Sequence, residues 1–236
     1  MKMRKAFSKC IKEIPSIGIY FFISLIIANV ANAEGERTAE YYYQVGISSL
    51  RLDQRDKAIE AYKEAIKLEP DNTKYYLELT NVYMNSQPQE NKLALDVIKK
   101  AIKIDTNNAN AYRYLGSIFF NTGKYEESIV ARKKAIELKP DDPENYIGLG
   151  TSYFLLWEFQ NTVDIMEKAI DLDPNDYQMS EIHYNMGRAY LCLGNRPGAI
   201  RQYEILKTIR KDSAEFLLDQ IQGKLNYKPF TKRPEN

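Results

Sequence analysis

A chain that writes "DKAIEAYKEAIKLEPDN" at 56–72 and then restates it has few folds open to it. The restatements are "LALDVIKKAIKIDTNN" at 93–108, "ESIVARKKAIELKPDD" at 127–142 and "NTVDIMEKAIDLDPND" at 161–176. Pro70, Thr106, Pro140 and Pro174 hold equivalent places, at spacings of 36, 34 and 34 residues. A period of this size marks supersecondary units that cannot bury their apolar faces alone and must stack on one another.

Each unit reads as two helices with a short break between them. In the second helix of the first unit, Ala58, Tyr62 and Ala65 recur at i, i+4 and i+7, flanked by Ile59 and Ile66, which makes one apolar stripe of helical period. Lys57, Glu60, Lys63, Glu64 and Lys67 fall outside that stripe and belong in water. Pro70 stops the helix, and Asp71 and Asn72 offer side-chain oxygens to cap the next one. The first helices carry "YYYQVG" (41–46), "YRYLG" (112–116), "YIGLG" (146–150) and "HYNMG" (183–187). A glycine recurring inside a helix, where it lowers helix propensity, points to a second helix packed close by.

Residues at these spacings resemble the tetratricopeptide repeat, a 34-residue helix–turn–helix unit. The first unit matches with Tyr42, Val45, Gly46, Ala58, Tyr62, Ala65 and Pro70. The third matches with Tyr112, Leu115, Gly116, Phe119, Gly123, Tyr125, Ala135 and Pro140, and the fourth with Tyr146, Leu149, Gly150, Tyr153, Ala169 and Pro174. The resemblance covers about residues 39–211 and implies an all-α, right-handed superhelical solenoid of about five repeats, at 39–72, 73–108, 109–142, 143–176 and 180–211. "DSAEFLLDQIQGKL" at 212–225 reads as an amphipathic capping helix, and 226–236 as a disordered tail.

Several residues depart from the pattern. Thr80 takes a glycine place, and two extra residues lengthen the turn near "NSQPQEN" (85–91). Ser128 and Arg132 stand where alanine and a large apolar residue are usual, so the second helix of the third unit is expected to pack loosely. Leu206 and Lys211 take the alanine and proline places of the fifth unit.

In the family, the first helices line a concave groove that holds extended peptides or partner helices. Carrying those positions over names Tyr43, Ile47, Leu77, Asn81, Met84, Arg113, Ser117, Phe120, Ile147, Thr151, Tyr184 and Arg188, together with Phe154 and Leu191. Phe120, Phe154 and Leu191 read more simply as core between repeats. Asn81 and Arg113 have the amide and guanidinium that bond a peptide backbone or carboxylate with defined geometry. Some family members clamp a chaperone's terminal carboxylate with Lys and Asn in the first repeat, but Tyr43 and Ile47 occupy those places here.

The first 33 residues belong to a different reading. Lys2, Arg4, Lys5, Lys9 and Lys12 precede an apolar "IGIYFFISLIIANV" (17–30), and "ANA" (31–33) then places small residues where a signal peptidase reads. This predicts a secretory signal cleaved after Ala33, leaving a periplasmic or secreted protein. The alternative is an uncleaved anchor over 14–31 that keeps the protein on a membrane. Cleavage leaves 28 Lys plus Arg against 31 Asp plus Glu, and Cys192 as a lone cysteine.

The near balance of charge offers no general polyanion surface, so nucleic acid is not an expected partner. His183 has no second ligand at metal spacing, Cys192 sits near a helix end, and "GNRPG" (194–198) lacks the layout of a phosphate loop. Trp157 occupies the inter-helix place held elsewhere by Gly123 and Gly194, and reads equally as a buried residue or an exposed anchor. The expectation is a non-enzymatic adaptor, without cofactor or metal, that binds a protein or peptide. The alternatives are a membrane-anchored scaffold of an envelope assembly and a non-catalytic subunit of an enzyme complex, and self-association through an open repeat face is a further expectation.

Overall fold

A computed structural model describes residues 37–85, 90–173 and 178–224. The signal or anchor segment (1–33), Pro174 and the tail (226–236) lie outside the described residues, as does most of the lengthened turn at 85–91. Among the described residues there are eleven helices and no strand, so the fold is an all-α helical repeat. No described helix is long and apolar enough to cross a membrane.

The chain divides after Asp105 into two compact units. The first holds α1 (Ala39–Arg51), α2 (Arg55–Leu68), α3 (Thr73–Met84) and α4 (Asn91–Ile104). The second holds α5 (Ala109–Asn121), α6 (Tyr125–Leu138), α7 (Pro143–Leu155), α8 (Phe159–Leu172), α9 (Met179–Cys192), α10 (Arg196–Ile209) and α11 (Lys211–Ile221).

Local chemistry sets the helix ends. Thr38, Asn72, Asn108 and Asp142 cap α1, α3, α5 and α7, each accepting a backbone N–H through its side-chain oxygen. The partner helices α2, α4, α6 and α8 have no side-chain cap. Of these, α2, α6 and α8 begin from a tight turn in which one residue takes a left-handed backbone, Asp53, Gly123 and Trp157, as Gly194 does before α10. The next N–H then reaches back to the previous helix, as in Gln54 to the Ser49 carbonyl (2.8 Å) and Lys124 to that of Phe119 (2.8 Å). Trp157 can occupy this strained position because its ring packs 6.1 Å from that of Phe159, half-buried on the margin of the core.

The stripes are buried as their period requires. Ala58, Ile59, Tyr62 and Ala65 of α2 are inside, while Lys57, Glu60, Lys63 and Lys67 are exposed. In the second unit, Ile147, Phe154, Val163, Met166, Ile182 and Met186 form one apolar cluster joining α7, α8 and α9. Leu217 of α11 fills the space beside Gly187, and Lys211, Asp212 and Glu215 face solvent.

The expected loose packing of α6 is corrected by the structure. Ser128 is fully buried, donates to the Gly116 carbonyl (2.8 Å) and lies 3.1 Å from Ser152 Oγ. Arg132 is only 7% exposed. Both residues find hydrogen bonds between helices, so polar side chains close the layer that apolar ones fill elsewhere.

Candidate functional site

The groove residues inferred from the sequence do not share one environment. In the first unit Tyr43 is 8% exposed, with its ring 6.0 Å from Tyr62 and 5.6 Å from Tyr75. It is part of the core there, with the Lys74 ammonium 3.7 Å from its ring centroid. Ile47, Leu77, Asn81 and Met84 are half-buried, and Asn81 Oδ1 accepts from Asn85 (2.9 Å).

The second unit gathers its residues more closely. Phe120, Ile147 and Thr151 line a cavity of about 170 Å³ with Arg132, Glu144, Gly148, Gln178 and Glu181. Ile147 is itself almost wholly buried, and Thr151 Oγ1 donates to its carbonyl (2.9 Å). Arg113 borders the cavity through Glu144, donating from Nη1 to Oε1 at 2.6 Å. Tyr184 and Arg188 do not line it. The Arg188 guanidinium instead stands 4.5 Å from the Phe154 ring centroid and 5.5 Å from that of Tyr184. Phe154 is buried and Leu191 half-buried.

Arg132 reaches this cavity from the second helix of its pair by an unusual route. Its chain crosses α5 against Gly116 and meets α7 at Gly148, where a Cβ would fall inside the guanidinium. Two glycines therefore open the passage. At its end Nη2 donates to Ser117 Oγ (2.8 Å) and Nη1 to the Glu144 carbonyl (3.2 Å). Nε has no partner, and among the described residues no carboxylate lies within ion-pair distance of this guanidinium. Burial lowers its pKa from the ordinary arginine value, the Glu144 charge opposes that shift, and neighbouring Arg113 adds to it. An arginine stays charged near neutrality even so.

Sequence reasoning placed Arg113, Ser117, Phe120, Ile147 and Thr151 on this face and missed Arg132, Glu144, Gln178 and Glu181. The signal for Arg132 was the charged residue at a large apolar place, followed sixteen residues later by a second glycine in "YIGLG". The arrangement contains no nucleophile–base pair. His183 Nδ1 is taken by Gln202 Oε1 (2.7 Å), and Cys192 packs beside the α7–α9 cluster. The cavity can instead bind, with a cation at its floor, apolar and hydroxyl walls, and carboxylates at its rim.

Comparison with known proteins gives matches to two models, a tetratricopeptide repeat over residues 39–72 and a TPR repeat over residues 116–156. No curated protein matches the chain. Among solved structures, MamA is 27% identical with a TM-score of 0.63, over 80% of this chain and 95% of that one. PilF of Pseudomonas aeruginosa shares the fold at 18% identity and a TM-score of 0.62, over 82% of this chain and 94% of its own. YrrB, described as a TPR protein with an unusual peptide-binding site, shares it at 19% and 0.60, over 85% and 94%.

Proposed function

This chain belongs to the tetratricopeptide-repeat family, and on that premise we propose that it is an exported adaptor holding a peptide or partner helix on the face built by α5, α7 and α9. The repeat fold itself is that of a protein–protein interaction scaffold. The observation that carries the finer reading is the cavity in the second unit, where Phe120, Ile147 and Thr151 stand beside charged groups on successive helices. Apolar walls supply binding area, and a few fixed polar groups supply orientation.

Capture tests the docking face. The full chain, tagged at its C-terminus, retains a set of proteins from the cells that make it. Thr151→Trp, which fills the cavity, removes at least one of them without changing the helical circular dichroism. Unchanged capture overturns the docking face.

Export is tested separately by sequencing the N-terminus of the protein recovered from cells. Glu34 supports export with cleavage after Ala33. Met1 favours the second reading, a membrane-anchored scaffold that retains residues 14–31, whose motivation is the apolar stretch from Ile17 to Val30. We assign the protein no catalytic step, because the cavity offers binding groups only.

A further inference from the structure

We propose that the cavity in the second unit is a carboxylate-recognition site, with Arg132 as the recognising cation. This rests on the reading that α5, α7 and α9 hold a partner, and it names the chemistry by which one is chosen.

The first argument is the cost of the arrangement. A buried cation is destabilising unless it is paired, and an apolar side chain of similar volume fills the same place at least as well. Three of the other units place Tyr62, Ile98 and Met166 eight residues before Pro70, Thr106 and Pro174, all fully buried, and the fifth has a half-buried Tyr203 before Lys211. Only here does the chain put a guanidinium, which passes the recurring glycine place at Gly116 and is let through by an additional glycine, Gly148.

The second argument is the state of the guanidinium. Its two bonds go to neutral acceptors, the Ser117 hydroxyl and the Glu144 carbonyl. The Glu144 carboxylate, whose charge acts on Arg132, is bonded to Arg113 instead. Ser117 Oγ lies 3.2 Å from the Arg113 carbonyl, which it can donate to, so the acceptor beside Arg132 is itself fixed. The group is thus held in place and cationic, with no carboxylate at ion-pair distance among the described residues. A planar guanidinium in that state matches a carboxylate, whose two oxygens accept charge-assisted bonds.

The third argument sets the valence. Among the described residues, the charged groups at the cavity are Arg132, Arg113, Glu144 and Glu181, with Asp142 acting from the α7 cap. Glu144 is bonded to Arg113, and the exposed Glu181 is paired with neither arginine, so an acidic run is repelled at the rim while Arg132 keeps its charge for one anion. The site therefore takes one carboxylate on a short apolar stem, with the stem against Phe120, Ile147 and Thr151. An acidic side chain and a chain terminus both present that group.

The test follows backbone and Arg Nε resonances of the isotope-labelled full chain by NMR. Three probes are titrated: N-acetyl-glutamate N-methylamide, N-acetyl-alanine with a free carboxylate, and N-acetyl-glutamine N-methylamide. Saturable shifts at Arg132 Nε and at the Ser117 and Thr151 amides are expected with one or both carboxylates, and at least about tenfold weaker binding of the glutamine probe, because it alone carries no carboxylate. The glutamate probe binding alone assigns a side chain, and the alanine probe binding alone assigns a terminus. Arg132→Met loses the response while keeping the fold, and Arg132→Lys recovers part of it. Equal binding of all three probes, no saturable shift at these residues, or a full response in Arg132→Met overturns the proposal. Capture in cells separates the two readings. If Thr151→Trp loses capture and no probe binds, the docking face stands and carboxylate recognition fails. If the carboxylate probes bind and Thr151→Trp captures normally, recognition stands and the docking face fails.

Discussion

At one place in the repeat the two compact units are built in opposite ways. Eight residues before Pro70 the first unit has Tyr62, and eight residues after it, Glu78. Around Pro140 the second unit has Arg132 and Gly148 at the same offsets. Tyr62 lies across Gly46, fully buried, as a plug between helices, and the Glu78 carboxylate is close enough to push the phenol's pKa further up after burial has raised it. Arg132 instead passes Gly116 and emerges at a cavity. Each leaves one buried polar atom without a partner, Tyr62 Oη in the first unit and Arg132 Nε in the second. The same helical lattice thus accepts an apolar plug or a cation that runs through it. The residue on the following helix decides between them, because only a glycine there leaves the guanidinium an exit.

The sharpest way to break that comparison is to close the exit. Gly148→Val puts carbon where the guanidinium now lies, and the side chain cannot retreat into a layer closed by Ser128 and Ser152. Overpacking of this kind and the displacement of a buried charge together predict a loss of about 3 kcal/mol. Hydrogen exchange of the buried amides of α6 and α7 measures it. Those of α2 and α3 should stay unchanged, since the substitution touches the second unit only. A loss below about 1 kcal/mol, the lower end for overpacking, means that Arg132 has another way out.

Removing the charge instead of its exit should do the reverse. Arg132→Met keeps most of the volume, makes the place resemble Met166 in the next unit, and abolishes an uncompensated cation. Stability of the second unit should hold or rise, by up to about 2 kcal/mol. Urea unfolding followed by exchange in the same helices checks the sign. A marked loss would show that the bonds to Ser117 and Glu144 stabilise the fold by more than burial of the charge costs it.

How far the sequence discloses this contrast depends on which residues carry it. The helical period of Ala58, Tyr62 and Ala65 and the capping oxygen of Asn72 act within one helix, so local pattern reveals them. Tyr43 stands at a family groove place, yet its ring turns onto Tyr62 and Tyr75, because an aromatic gains more by joining that cluster than by facing water. Arg132 shows in the sequence as a misfit only. Its meaning depends on Gly148, on a different helix sixteen residues away, and one residue on one helix does not announce a gap on another. Trp157 was equally opaque. Its place in the turn is visible from Gly123 and Gly194, but the side on which its ring rests is set by Phe159.

The tyrosine side of the comparison has its own test. Tyr62→Phe deletes a buried hydroxyl that has no partner, so the first unit should gain about 1 kcal/mol where a core substitution ordinarily loses. The same group makes stability depend on pH. Burial raises the folded pKa of Tyr62 and Tyr76, and burial with the Glu69 hydrogen bond raises that of Tyr75 to about 12. In the unfolded chain these phenols ionise near their ordinary value of about 10, so above that pH the unfolded state holds fewer protons than the folded one. Stability of the first unit therefore falls as pH rises past 10, and Tyr62→Phe makes the fall shallower. Thermal unfolding followed between pH 8 and 11 reads both effects, and an unchanged slope would remove Tyr62 from the account.

The smallest effect tests whether the units also differ at their turns. Asp53 and Trp157 hold left-handed backbones, with φ of 56° and 66°, where Gly123 and Gly194 do so at 75° and 73°. A side chain there costs on the order of 1 kcal/mol, less for aspartate, whose short polar group tolerates the conformation. Asp53→Gly removes that cost but gives the unfolded chain more freedom to lose, so the two nearly cancel. The expected change is within about 0.5 kcal/mol, read as the urea midpoint of the first unit. Asp53 is exposed and has no ring to place, so relief of strain is all the substitution can add. A gain well beyond that range would mean that the turn, as well as the plug, holds the first unit under strain, and the contrast with the glycine turns of the second unit would extend beyond one layer.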